Sequence, residues 1–248
     1  MNSTNILSIK NLSKTYHTSL GETLAIKDIS FDIKKEEFIG IIGPSGCGKS
    51  SILNIMSNLD KDYTGKILIN NNIKIAYMLQ EDALFPWLTI MDNVLLPLKI
   101  EKKLTKENMI YATTLLKKYG LYEFKDKYPS FLSGGMKQRV ALIRTLALKP
   151  DILLLDEPFS ALDYQTRLKV SDDVFKIIKN EHKTALIVSH DISECISLCD
   201  RIIVLSKRPS IIKNIHVINL DNKSTPIFNR ESKNFTEYYK SIWKDIDE

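Results

Sequence analysis

Residues 43–50 read GPSGCGKS, the spacing G-x-x-x-x-G-K-S. Glycines at 43, 46 and 48 let a chain curl until successive backbone N–H groups converge on a phosphate. The candidate cradle comprises Gly43, Pro44, Ser45, Gly46, Cys47, Gly48, Lys49, Ser50 and Ser51. Lys49 would reach the β- and γ-phosphates of a nucleotide, and the Ser50 hydroxyl would ligate magnesium. A second stretch, ILLLDEP at 152–158, ends an apolar run in two carboxylates. Beside a phosphate loop, Asp156 suits magnesium, directly or through water, and Glu157 suits a general base acting on the attacking water.

A further glycine-bearing stretch raises the question of a second anion cradle. Residues 132–139 read LSGGMKQR and run into helical RVALIRTLAL. Free N–H groups at a helix start attract an anion, so Ser133, Gly134 and Gly135 are candidate phosphate contacts. His190 follows the strand-like TALIVS. Such a histidine either orients water at a γ-phosphate or serves structure. Gln80, after YML, either senses metal and γ-phosphate or is an ordinary strand-end residue. Tyr16, in KTY, either stacks on adenine or packs on its strand neighbours.

These residues need elements to position them. The first forty residues alternate apolar and polar, which predicts antiparallel strands. EFIGIIG is a short buried strand ahead of the phosphate loop, and SSILNIMSNL a helix after it. KILIN and IKIAYML predict two more strands. From residue 82 to 148 the spacing turns helical, with helices expected over 88–98, 105–119 and about 135–148. From 150 the pattern alternates: strand DILLLDEP, helix 161–181, strand TALIVSH, helix 191–199, strand RIIVLS. That alternation predicts an α/β fold with a parallel sheet and crossover helices. The expected organisation is a nucleotide-binding core over 1–81 and 149–220 with an antiparallel β part, a helical subdomain over 82–148, and a C-terminal helix over 229–248. Phe235, Tyr239 and Trp243 recur every four residues there, predicting one aromatic face that docks on the protein itself or on a partner.

Bulk properties narrow the class. The chain has 248 residues, 44% of them hydrophobic, with Lys+Arg 35 against Asp+Glu 30. The basic residues are interleaved with acids rather than gathered in a stripe, which argues against a nucleic-acid partner. No apolar run reaches the ~18 residues of a membrane span. The N-terminus lacks the layout of a secretory signal. Three cysteines do not make a disulfide framework, so a reduced, cytosolic setting is expected. Cys195 and Cys199 read as small core residues.

Taken together, the phosphate loop, Gln80, LSGG, ILLLDE, SALD (160–163) and His190 resemble the ATPase subunit of an ABC transporter. The resemblance covers residue 6 to about 208. It implies an ABC cassette that binds ATP and Mg2+ and pairs head to tail in a homodimer. Each LSGG would then close on the ATP held by the partner's phosphate loop, and Asp163 would link the two sites across the interface. It also implies that Tyr16 stacks on adenine, that Gln80 contacts metal and water, and that His190 is the γ-phosphate switch. YMLQEDALFPWLTIMDNVLLPL, LSGGMKQRVAL and DRIIVLSKRPS look like the importer branch serving nitrate, sulfonate, taurine and related small anions, or thiamine-precursor pyrimidines. Met136 stands where the wider family often has Gln, and Glu194–Cys195 where this branch usually has Glu-Ala. The branch implies an integral membrane permease, an extracytoplasmic substrate-binding protein acting indirectly, and a peripheral position on the cytoplasmic side of the membrane. Phe85 and Trp87 would lie beside the groove for the permease's cytoplasmic helix, or pack locally. The alternative is an ABC ATPase of another transport system, or one outside transport.

Overall fold

The computed structural model describes residues 5–19, 21–70, 72–80, 83–221 and 223–247. The expected ends of the cassette, 1–4 and 248, and the expected start of the helical insertion at 82 lie outside them.

The alternating N-terminal residues form β1 (Asn5–Thr18) and β2 (Gly21–Lys34), paired antiparallel. The apolar FIGII is β3 (Phe38–Ile42), which feeds α1 (Lys49–Met56). β4 (Thr64–Ile69) returns to β1 and completes a three-stranded sheet in the order β2-β1-β4. β5 (Ile75–Met78) is followed by α2 (Ile90–Ile100), α3 (Lys106–Lys118) and α4 (Gly134–Leu146). Then come β6 (Ile152–Asp156), α5 (Tyr164–Asn180), β7 (Thr184–Val188), α6 (Ile192–Leu198), β8 (Arg201–Leu205) and β9 (Ile212–Val217), with α7 (Pro226–Asn229) and α8 (Phe235–Asp247) last.

The second sheet runs β5-β6-β7-β3-β8-β9. Its strands pair parallel up to β8, and β9 closes the edge antiparallel to β8. Strand–helix alternation in the sequence predicts the parallel part but not β9. The reason is burial: IKNIHV is an edge strand interrupted by Lys213, Asn214 and His216, and it carries no apolar run.

Every residue of β3, β6 and β7 is buried, which produces continuous apolar runs instead of alternation. Within each strand, successive side chains still serve opposite faces. Leu153 and Leu155 of β6 join the core shared with α2–α6 and α8. Ile152 and Leu154 join the core shared with α1 and the antiparallel sheet. Gly40 of β3 lets α6 approach closely: a Cβ there would stand 2.9 Å from the Cys199 sulfur and 3.3 Å from that of Cys195. Both cysteines are free and fully buried, the small core residues their spacing suggests.

Five helices begin alike. Thr89, Thr105, Ser133, Asp163 and Asp191 each accept the backbone N–H three residues on, satisfying one orphan donor of the first turn. The C-terminal helix starts at Phe235 rather than 229. Ahead of it, the buried Asn229 donates to the carbonyl of Ser197 at 2.7 Å and accepts from Ser224 N–H at 2.7 Å, which fixes a turn there. Phe235 and Tyr239 pack on the core, but Ile242 is the fully buried residue of α8, and Trp243 remains 53% exposed, stacked on Tyr239. No helix among the described residues is long and apolar enough to cross a membrane.

Candidate active site

Parallel strands all end on one edge of a sheet, and ligands bind in the crevice there. The loops after β3, β5, β6 and β7 therefore converge, carrying the phosphate loop, Gln80, Asp156–Glu157 and His190.

The phosphate loop has the conformation that its glycines permit. Gly46 and Gly48 take φ of +73° and +102°, in the region that side chains avoid. At Gly48 a Cβ would also stand 3.1 Å from Ile26, and at Gly43 one would stand 2.9 Å from the carbonyl of Leu205. Gly48 precedes α1 and offers no side-chain cap, so the first N–H groups of α1 are left to the loop's ligand. Lys49 is buried, its ammonium donating to the carbonyls of Gly43 at 2.9 Å and Pro44 at 3.1 Å. Cys47 is buried under the loop, and burial pushes its thiol above the usual range. Pro44 is half-buried, and Ser45 is exposed on the loop surface.

Asp156 closes the site from below. Its Oδ1 accepts from the Ser50 hydroxyl at 3.2 Å and its Oδ2 from the Tyr77 hydroxyl at 2.8 Å. Tyr77 has its phenol raised well above the ordinary range, by burial first and then by Asp156. Glu157 follows in a left-handed conformation, φ +42°, with its N–H held by the carbonyl of Val188 at 2.9 Å. His190 Nδ1 lies 3.0 Å from Glu157 Oε2. Lys49, Ser50, Asp156, Glu157 and His190 thus form one cluster on one edge.

The remaining candidates sit as follows. Tyr16 is 36% exposed beside the loop, its hydroxyl 2.7 Å from that of Ser51 and its ring 4.9 Å from the Lys14 ammonium. Gln80 is exposed just past β5. Ser133 and Gly134 are exposed at the start of α4, but Gly135 is buried. A Cβ on Gly135 would meet Val170 at 2.6 Å, and one on Gly134 would meet Leu162 at 3.0 Å. Gly135 is therefore required by the packing of α4 on α5. Among the described residues, no hydrogen bond joins residues 133–135 to the phosphate loop. Asp163 caps α5, its Oδ1 accepting from Thr166 N–H at 3.1 Å, a bond that holds its carboxyl below the usual carboxylate range.

Two residues of this neighbourhood escape the sequence reading. Tyr77 is one; a tyrosine placed directly before the strand-end residues Met78–Gln80 is its only signal. Arg208 is the other, donating to the carbonyl of Gly46 from far along the chain.

The ABC transporter family model matches residues 26–160. The chain is 44% identical to the uncharacterized ABC transporter ATP-binding protein YtlC of Bacillus subtilis, covering 97% of this chain and 95% of that protein. It is 37% identical to the aliphatic sulfonates import ATP-binding protein SsuB of Bacillus anthracis, covering 97% and 96%. It is 36% identical to the nitrate import ATP-binding protein NrtD of Synechocystis, covering 92% and 88%. Among solved structures, the dimeric post-hydrolysis state of the ATP-binding cassette MJ0796, bound to ADP and Pi, superposes with a TM-score of 0.72 at 34% identity, covering 86% of this chain and 99% of that one. The chain belongs to the ABC transporter family: it is an ATP-binding cassette whose ATP hydrolysis is coupled to transport.

Proposed function

We propose that this cassette drives a membrane importer for a small anion of the sulfonate or nitrate type, or a thiamine-precursor pyrimidine. It would work as a homodimer bound to a permease on the cytoplasmic side of the membrane, with an extracytoplasmic binding protein delivering the solute. The observation that carries the dimeric reading is a separation within one chain. Lys49, Ser50, Asp156, Glu157 and His190 gather at the sheet edge, whereas the exposed Ser133–Gly134 start of α4 makes no bond to that cluster. Two copies arranged head to tail would bring each α4 start to the other's phosphate loop.

In this reading the loop amides and Lys49 hold the ATP phosphates, and Tyr16 stacks on adenine. Glu157 takes a proton from the attacking water as its oxygen bonds to the γ-phosphorus, the bond between that phosphorus and the β–γ bridging oxygen breaks, and ADP and inorganic phosphate are left. His190, at 3.0 Å from Glu157, orients that carboxylate and contacts the γ-phosphate. Ser50, Asp156 and Gln80 offer oxygen donors for Mg2+, a hard cation that keeps several ligands from water and phosphate. Among the described residues no group of three or more His, Cys, Asp or Glu could enclose a metal, so the fit is to an ion shared with the phosphates. When bound, it neutralises charge that develops on the transferring phosphoryl group. Asp163 would lie at the dimer interface.

The permease would dock in a groove of about 470 Å3 between β5 and α2, lined by Tyr77, Leu79, Phe85, Leu96, Pro97 and Ile100. Phe85 forms part of its wall, and Trp87, 68% exposed, tilts against Phe85 with ring centroids 5.2 Å apart. The SsuB and NrtD resemblances motivate the solute classes. The test is ATP turnover by the purified complex of cassette, permease and binding protein, with alkanesulfonates, nitrate and pyrimidines added in turn. Stimulation by one class supports the reading. Stimulation by none of them, with basal turnover intact, rejects it.

A further inference from the structure

The turn between β8 and β9 lies far along the chain from the phosphate loop, yet one of its side chains grips that loop. Arg208 donates to the Gly46 carbonyl from Nη2 at 2.6 Å and from Nε at 3.2 Å. Gly46 is the apex of the loop, at φ +73°. That carbonyl shares its peptide with the N–H of Cys47, which donates back to the Pro44 carbonyl within the loop at 3.3 Å.

The turn itself is braced. The Ser206 hydroxyl donates to the Lys207 carbonyl at 2.8 Å and accepts from Ile211 N–H at 3.0 Å. Ser210 is fully buried, and its N–H and hydroxyl both reach the Ala25 carbonyl, at 2.9 and 3.2 Å. Lys27 N–H returns to the Ser210 carbonyl at 2.9 Å. Ile26, between those two contacts, is the residue packed beneath Gly48. β2, the turn and the loop are thus tied together, and among the described residues Arg208 is the charged donor from the turn that reaches the loop. The thiol of Cys47, under the apex, also feels the Arg208 charge, which opposes the upward push of burial.

We propose that Arg208 is a positioning residue for the phosphate loop: its forked guanidinium fixes the Gly46 peptide so that the loop's N–H groups are set for nucleotide phosphates before they arrive. A preorganised loop loses less on binding, and a planar fork does this where a point charge does not. This rests on the loop being the nucleotide site.

The test compares wild type with R208A and R208K in the purified full-length chain, by two independent readouts. The first is titration with fluorescent ADP and ATP analogues. R208A is expected to bind both about tenfold more weakly, the size of effect a charge-assisted bond supports, with R208K in between. The second is alkylation by iodoacetamide without nucleotide, resolved by peptide mass spectrometry. Cys47 should react several-fold faster in R208A because the loosened loop uncovers it, against the slowing that loss of the thiolate-favouring Arg208 charge would bring alone, while Cys195 and Cys199, buried in the other core, keep their rates. Unchanged affinity and unchanged Cys47 reactivity would overturn the proposal. So would a rise at all three cysteines together, which would report general loosening, or an R208K protein equal to wild type in both readouts, which would make charge alone sufficient. Failure of wild type itself to bind nucleotide would instead reject the reading of the loop, and the cysteine readout stands apart from it.

Discussion

The Tyr77 hydroxyl donates to Oδ2 of Asp156 at 2.8 Å, while the Ser50 hydroxyl occupies Oδ1 at 3.2 Å. Both oxygens of a buried carboxylate are therefore satisfied by groups from different elements. Y77F removes one bond and little volume, leaving Oδ2 short of a donor. A loss of about 1–3 kcal/mol in unfolding free energy is expected, measured by urea titration without metal. In saturating Mg2+ and ATP the loss should shrink, because water on the ion can serve Oδ2. An equal loss in both conditions would contradict the assignment of Asp156 to the metal.

Glu157→Gln keeps the shape and the contact with His190 but removes the base. Turnover is expected to fall by a factor on the order of 100 to 10,000, with ATP affinity within a few-fold of wild type. Light scattering should show an ATP-dependent dimer that persists because the reaction no longer ends it. Normal turnover in this variant would remove Glu157 from the mechanism.

Gly135→Ala places a methyl 2.6 Å from Val170. Overpacking of this kind costs about 1–3 kcal/mol. Adding V170A should restore most of the stability, a coupling that a double-mutant cycle measures. If the double variant is folded and still inactive, Gly135 also serves chemistry. If activity returns, its requirement is the α4–α5 contact alone.

Glu194 of α6 is buried, and burial first, then Asp191, pushes its carboxyl up to about 7, against the opposing pull of Ser189, Arg167 and Arg230. Its folded value exceeds its unfolded one, so the folded state holds the extra proton between about pH 4.5 and 7. Stability from this group is present below that window and is lost as pH rises through it, at most by about 3 kcal/mol. Glu194→Gln is neutral throughout. Its stability relative to wild type should be larger at pH 8 than at pH 5, by urea titration at both. A difference independent of pH would show that Glu194 keeps an ordinary acidity.

Legibility in the sequence followed locality. GPSGCGKS, LSGG and ILLLDE carry their meaning in adjacent residues, because a phosphate loop, a helix start and a strand end are each built from a short span of backbone. The buried strands were readable for the same reason: FIGII, ILLLD and TALIV are apolar runs, broken only by the terminal Asp156 and Thr184. β9 was not, since an exposed edge strand has no apolar run to betray it. The repeat of Phe235, Tyr239 and Trp243 pointed to an aromatic helix face; Phe235 and Tyr239 do pack on the core, but the fully buried residue of the helix is Ile242, outside that repeat.

The amino-acid order alone was enough to name the family and the pieces of its nucleotide site. Only tertiary structure decided how those pieces are held: Tyr77 on Asp156, Arg208 on Gly46, Val170 against Gly135, and Arg167 and Arg230 near Glu194. Each of these pairs joins residues far apart along the chain, and their contact depends on strand order and helix packing. No short window of sequence contains that information, because the energy of such a contact exists only once both partners have been brought to the same place.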